Sequence, residues 1–134
     1  MEKKTPIFAE DAPAVDHQSQ AVRSDNWLYV SGQTGCDPAT GILAEGLDAQ
    51  TERMLANLDA ILARAGCSKK DIAIVTLMFS DIKYFKRVDE IYAAWSPPRE
   101  QIPLPGCNAF ESKFLPGGAM VQIDAIAAVP PAPA

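Results

Sequence analysis

The stretch from Ile72 to Ser80 constrains the fold most, because it is apolar on both sides when it is read as a strand. Successive side chains of a strand point to opposite faces of the sheet. The two sets are Ile72, Ile74 and Met78 on one face and Val75, Leu77 and Phe79 on the other. Such a strand must be covered on both faces. One helix layer covers one face, and a chain of 134 residues has little left for a second layer. The sequence therefore predicts a partner subunit on the other face.

Two segments show the three- and four-residue apolar spacing of amphipathic helices. The first runs from Asp48 to Ala65, with Asp48 as a candidate N-cap and Gly66 where a left-handed residue ends many helices. Its apolar stripe comprises Met54, Leu55, Leu58, Ile61, Leu62 and Ala65. The second helix runs from Tyr84 to Trp95 and is stopped by two prolines. Both helices are predicted to pack on one face of the sheet.

The remaining β-rich segments complete a ββαβαββ order. Residues 18–23 and 27–33 flank a turn sequence and predict a hairpin. Residues 104–112 and 119–129 predict two final strands joined through a Leu-Pro-Gly-Gly turn, after a proline-rich loop over residues 96–105 whose role stays open. Residues 1–14 are expected to be a loose lead-in and residues 130–134 a mobile tail. The prediction is one α+β domain over residues 1–134, with two helices on one face of a mixed sheet.

Composition excludes several classes of function. A net charge of −5 without a basic cluster argues against nucleic acid as the main partner. Three widely spaced cysteines and one histidine do not fit a structural zinc site, and they suit a reducing cytosol. We expect a cytoplasmic protein without a cofactor, a metal or a membrane span, because no signal peptide or apolar run of membrane length is present.

Five motifs in order resemble the YjgF/RidA family, also described as endoribonuclease L-PSP, and together cover about residues 12–128. They are Ser19-Gln20-Ala21-Val22 with Val30-Ser31-Gly32-Gln33, Asp37-Pro38-Ala39-Thr40-Gly41, Gln50-Thr51 with Asn57-Leu58 and Ala65-Gly66, Leu115-Pro116-Gly117-Gly118-Ala119, and Gln122-Ile123-Asp124-Ala125-Ile126-Ala127. The resemblance implies a chorismate-mutase-like homotrimer with small-molecule clefts between subunits. Typical members hydrolyse enamines and imines to ketones and ammonia.

The sequence departs from the family pattern at the predicted site. The family's substrate-binding arginine falls at Cys107, and Arg99 lies eight residues earlier, too far to replace it without an insertion or deletion. A thiol cannot supply the two charge-assisted hydrogen bonds of a guanidinium. The family's carboxylate on the last strand falls at Gln122, and its Gly-Pro-Tyr motif falls at residues 16–18. These replacements are read either as a changed ligand or as drift.

The candidate catalytic residues are Cys107, His17 and Glu111. Cys107 is either a small packed strand residue or a thiol nucleophile, with His17 as its base and Asp16 or Glu111 as the orienting carboxylate. His17 is either an exposed loop residue or a proton shuttle for water. The candidate substrate-binding residues are Gln18, Ser31, Gly32, Asn108 and Gln122.

Three functions stay open at this point. The first is a hydrolase or deaminase of an imine, an enamine or a related C–N compound, with altered specificity. The second is a non-catalytic ligand-binding or regulatory trimer. The third is a thiol-dependent hydrolase that acts through Cys107. Ribonuclease activity fits the negative charge poorly.

Overall fold

The computed structural model describes residues 4–15, 17–98, 100 and 102–131. Its strands are β1 (Thr5–Ile7), β2 (Ala21–Ser24), β3 (Trp27–Gln33), β4 (Ile72–Phe79), β5 (Gly106–Glu111) and β6 (Val121–Ala128). Its α-helices are α1 (Leu47–Arg64) and α2 (Phe85–Trp95), and short 3₁₀ turns cover Lys69–Asp71, Ile82–Tyr84 and Pro116–Gly118. The predicted α+β order is confirmed, with one additional strand, β1.

The six strands form one mixed sheet in the order β1-β2-β3-β6-β4-β5. β4 and β5 run parallel, joined through α2 and the proline-rich loop, and the other neighbours are antiparallel. β5 therefore forms one edge of the sheet, four strand positions from β2. This order fixes which predicted site residues can meet within a single chain.

The helices cover only one face of the sheet. Val75, Leu77 and Phe79 of β4 are buried against this layer, together with the α1 stripe centred on Leu58. Val88 is the one residue of α2 that is fully buried, and Trp95 ties α2 to α1 by donating a 2.8 Å hydrogen bond from Nε1 to Asp59. The core therefore lies between the helix layer and one side of the sheet.

The other face is uncovered in the single chain and carries large apolar side chains. Trp27, Tyr29 and Phe110 are 42%, 46% and 47% exposed, and Met78 of β4 is half-buried. The expectation that β4 is apolar on both faces is confirmed for the chain itself. One assignment within it is wrong: a register shift between Ile72 and Ile74 turns Ile72 toward the covered face.

Two local expectations change in the structure. The lead-in is not loose over its whole length, because β1 pairs with β2 and the buried Gln20 side chain hydrogen-bonds to Ala9, Ala12 and Pro13. Asp48 does not cap α1: the N-cap is Gly46, without a side-chain cap. Asp48 instead accepts two hydrogen bonds from Arg87, which joins the first turns of α1 and α2.

Candidate functional site

The predicted site residues fall into two groups on opposite sides of the sheet. Cys107 pairs with the buried Val75 in the β4–β5 ladder, so its side chain points toward the helix layer. Asn108 and Gln122 pair with Thr76 and Met78, so their side chains belong to the open face. Because neighbouring residues of a strand alternate between faces, Cys107 and Asn108 cannot serve one pocket of the same chain through their side chains.

Cys107 borders a cavity of about 570 Å³, which we call the Cys107 cavity. It lies where the second half of α2, the proline-rich loop and the start of β5 meet. α2 contributes Asp89 and Tyr92 to its wall, and the loop contributes Pro97 and Leu104. This cavity lies within the single chain, whereas the family resemblance implies a cleft between subunits, and its wall combines apolar loop residues with the polar side chains of Asp89, Tyr92, Ser96 and Cys107.

The thiol of Cys107 is held in its neutral form. Partial burial raises the pKa of Cys107 above its usual value, and the negative charge of Asp89 raises it further. Its one hydrogen bond among the described residues is donated from Sγ to the carbonyl of Asn108, at 3.7 Å. A reactive cysteine requires the opposite electrostatics, because the thiolate is the nucleophile.

Tyr92 is the second polar group of the cavity wall. Burial, and then the nearby Cys107 and Asp89, raise the pKa of Tyr92 to about 12, so the phenol stays protonated. Its hydroxyl oxygen is buried and has no hydrogen-bond partner among the residues that the structure describes. A buried hydroxyl without a partner is costly, so a ligand or a water that reached this oxygen would gain a favourable hydrogen bond.

The second group surrounds Gly32 and forms what we call the Gly32 cleft. Gln18, Ser31 and Gly32 line a cavity of only about 10 Å³, which has room for one water at most. Ser31 donates its hydroxyl to the Ser19 carbonyl at 2.7 Å, which fixes the chain before β2 against β3. The Gln122 side chain lies so close to the Gly32 α-carbon that a Cβ there would overlap its amide nitrogen. Alone, this cleft cannot hold a substrate.

The three candidate catalytic residues do not meet within one chain. His17 precedes β2, and Cys107 is on β5, four strand spacings or roughly 19 Å across the sheet. Glu111 lies four residues beyond Cys107 on the same strand, roughly 13 Å away. Its carboxylate accepts a 2.8 Å hydrogen bond from the Ile82 amide, which anchors the 3₁₀ turn after β4. Asp16, the other candidate orienting residue, and Arg99 lie outside the described residues.

Sequence reasoning missed three polar groups near the predicted site. Asp89 and Tyr92 are three residues apart on α2, so they share a helix face, and only knowledge of which strand that face meets could have connected them to Cys107. Asp124 lies on the open face beside Thr76, where partial burial raises the pKa of its carboxyl. The sequence held a signal for this placement, because Asp124 is two residues after Gln122 in β6 and such residues lie on the same face of the sheet.

No group of three or more His, Cys, Asp or Glu side chains in residues 4–15, 17–98, 100 and 102–131 is arranged to hold a metal ion. Over the same ranges, neither helix has the length and apolar character required to cross a bilayer.

The fold and these half-sites define a class: a small α+β subunit with one mixed sheet, helices on one face, and ligand-sized space beside an edge strand. The chain belongs to the family described as Endoribonuclease L-PSP, whose model matches residues 9–129. The resemblance to YjgF/RidA proteins that the motifs indicated is thereby confirmed.

Relatives and solved structures agree with this assignment. The chain is 37% identical over 123 residues to a mouse protein named 2-iminobutanoate/2-iminopropanoate deaminase, covering 90% of this chain and 88% of that protein. It is 39% identical over 127 residues to a RutC family protein of Aquifex aeolicus, covering 94% and 97%.

Among solved structures, the Rid-family protein YyfA of Yersinia pestis, whose function is unknown, matches with a TM-score of 0.88 and 36% identity over 95% of this chain and 100% of that one. The Escherichia coli protein TdcF with bound serine matches with a TM-score of 0.84 and 28% identity over 92% and 98%.

Proposed function

We propose that this protein hydrolyses the C=N bond of an imine, an enamine or a related small compound at a site completed by a second subunit. In that reaction water adds to the carbon of C=NH, the carbinolamine loses the nitrogen as ammonia, and a carbonyl compound remains. The step is neither an oxidation nor a reduction, so it requires no oxidant or reductant. Support at the family level comes from the relatives named as imine deaminases.

The observation that carries the proposal is the division of the predicted residues into two incomplete halves. The Cys107 cavity has volume and polar groups, whereas the Gly32 cleft has polar groups but almost no volume. The open face carries exposed aromatic residues such as Trp27 and Tyr29, which favour burial against another copy. In a symmetric trimer, the Cys107 cavity of one subunit would face the Gly32 cleft of the next.

The proposed division of roles follows from the chemistry of each half. Tyr92 and Asp89 bind the nitrogen end of the substrate in the Cys107 cavity. Gln122 and the backbone around Ser31 and Gly32 position the water, because an amide orients a water but has no pKa suited to a base. His17 of the neighbouring subunit, one residue before Gln18, transfers the proton of the attacking water. The altered substrate specificity follows from the neutral thiol at Cys107.

The test combines turnover with mixed subunits. Imines are generated by an amino acid oxidase, starting with 2-iminopropionate and extending to a broad panel, and the rate of decay is followed by semicarbazide trapping. Rates equal to those in buffer across the panel would refute the hydrolase. Sedimentation should give three chains of 14.4 kDa.

Complementation tests the shared site. Cys107→Phe blocks one half and Gln122→Leu alters the other. If each site is built from two subunits, refolded mixtures of the two inactive variants recover about a quarter of the wild-type sites at equal ratio. If each site lies within one chain, no activity returns and the shared-site proposal fails.

A non-catalytic binding protein is the second candidate, and two observations favour it. Cys107 is held neutral, and the Glu111 carboxylate is occupied by the Ile82 amide, so two of the three candidate catalytic groups are poorly prepared for proton transfer. A ligand that raises the melting temperature without being converted would support this role. The thiol-dependent hydrolase is the third candidate, and undiminished turnover in Cys107→Ser would remove it.

A further inference from the structure

The Cys107 cavity has the electrostatics of a site for positive charge. Among the described residues that line the cavity, Asp89 is the charged one. Its negative charge contributes to raising the pKa of both Cys107 and Tyr92. Cys107 is an uncharged thiol and Tyr92 an uncharged phenol. A carboxylate ligand would meet repulsion from Asp89, and none of the described residues that line the cavity carries a positive charge.

The shape and lining of the cavity select the rest of the ligand. Pro97, Leu104 and Pro105 present apolar surface, and the volume of about 570 Å³ is within the range of small-molecule pockets. The unpartnered Tyr92 hydroxyl can donate to a lone pair or accept from an N–H. The combination suits a flat apolar body that ends in a nitrogen group with several N–H donors.

From this juxtaposition we infer that the Cys107 cavity binds a cationic nitrogen compound without a carboxylate, such as an iminium, amidinium or aryl-methylamine, with its charged nitrogen directed to Asp89 and Tyr92. The inference rests on the proposed function only for the identity of the substrate: if the protein is a C=N hydrolase, its substrate is an imine without a carboxylate. It concerns binding, however, and stands or fails by a binding measurement.

The experiment compares three probes that share a phenyl ring and differ in charge: benzamidine as the cation, benzamide as the neutral form and benzoate as the anion. Binding to the full chain is measured by calorimetry and by the shift in melting temperature at low and moderate salt. We expect benzamidine to bind at least about tenfold more tightly than benzoate, the difference that one charge-assisted hydrogen bond supplies.

The chain offers a matched control for the charge. Asp89 and Glu90 are adjacent exposed acids on α2, but only Asp89 lines the cavity, since Glu90 binds Arg87 instead. Asp89→Asn should weaken benzamidine binding about tenfold, whereas Glu90→Gln should leave it within about twofold. Equal losses in the two variants would overturn the inference, because they would indicate non-specific attraction to an acidic surface.

Other outcomes are equally decisive. Benzoate binding as tight as benzamidine binding would overturn the inference, and loss of that benzoate binding in Arg99→Ala would identify Arg99 as the missing cation. Failure of all three probes to bind the wild-type chain would also overturn it. The proposed function fails separately. If benzamidine binds through Asp89 but no imine is turned over, this inference stands and the proposed function fails. If 2-iminopropionate is turned over and benzoate binds as tightly as benzamidine, the proposed function stands and this inference fails.

Discussion

Replacing Gln20 with leucine tests how the lead-in is attached to the sheet. The Gln20 side chain is 5% exposed, accepts a hydrogen bond from the Ala9 amide, and donates to the carbonyls of Ala9, Ala12 and Pro13 at 3.1, 3.0 and 2.9 Å. Leucine keeps a similar volume and removes all of these bonds. The perturbation is therefore confined to hydrogen bonding, with little cavity formation.

The expected cost follows from counting the groups that lose a partner. Each hydrogen bond contributes about 0.5–1.5 kcal/mol net, and a buried donor left unpaired costs about 1–3 kcal/mol. The NH₂ group has only two hydrogens for three carbonyls, and Pro13 is partly exposed to water. The sum is about 3 kcal/mol in the free energy of unfolding, or about 10 °C in melting temperature for a chain of this size.

The assay is urea unfolding at fixed protein concentration, because assembly would make the midpoint depend on concentration. Gln18→Leu is the matched control, since Gln18 is exposed and the same change there removes none of these bonds. Amide exchange should show the added loss of protection in Ala9 and in β1. If Gln20→Leu costs less than about 0.5 kcal/mol, the lead-in is not held by this side chain and the reasoning is refuted.

Three further predictions concern the site and the open face. Cys107→Arg should reverse the probe preference, so that benzoate binds more tightly than benzamidine; unchanged preference in calorimetry would count against the role given to position 107. Asp89→Asn should lower the pKa of Cys107, since it removes a negative charge, and iodoacetamide should then alkylate the thiol faster at neutral pH; an unchanged rate profile would show that the two groups do not interact.

The folded pKa of Asp124 is raised above its unfolded value of 3.8, so the unfolded chain ionises first and the free energy of unfolding falls as the pH rises from 3.8 to the folded pKa. Asp124→Asn should therefore gain melting temperature at pH 7 relative to wild type, and the gain should shrink as the pH falls from the folded pKa to 3.8; a constant difference across pH would contradict this sign.

The elements that were predicted well are those that local chemistry specifies. The apolar stripe of α1 and the glycine after it predicted both ends of the helix to within one residue. Gly66 adopts the expected left-handed conformation, with a φ of 77°. β4 was found because its composition is β-rich, although the register shift near Ile72 left no trace in the apolar pattern. β1 was missed because three residues that include a proline carry too little periodicity.

The site was harder to predict because its geometry depends on strand order. Cys107 was assigned to the candidate site from a family pattern, but its neighbours on α2 follow from the parallel pairing of β5 with β4, which no local motif indicates. The face on which a side chain lies depends on register, and register is set by pairing between segments distant in sequence. The separation of His17 from Cys107 likewise follows from the sheet order and from no local motif.

The close approach of Gln122 to Gly32 also restricts how this region can change over evolutionary time. Any side chain at position 32 would displace the far end of Gln122, which contacts Met78, whereas shortening Gln122 first would leave room for alanine. The two positions therefore accept mutations in a preferred order, and a library that varies them one at a time would miss combinations that are tolerated together.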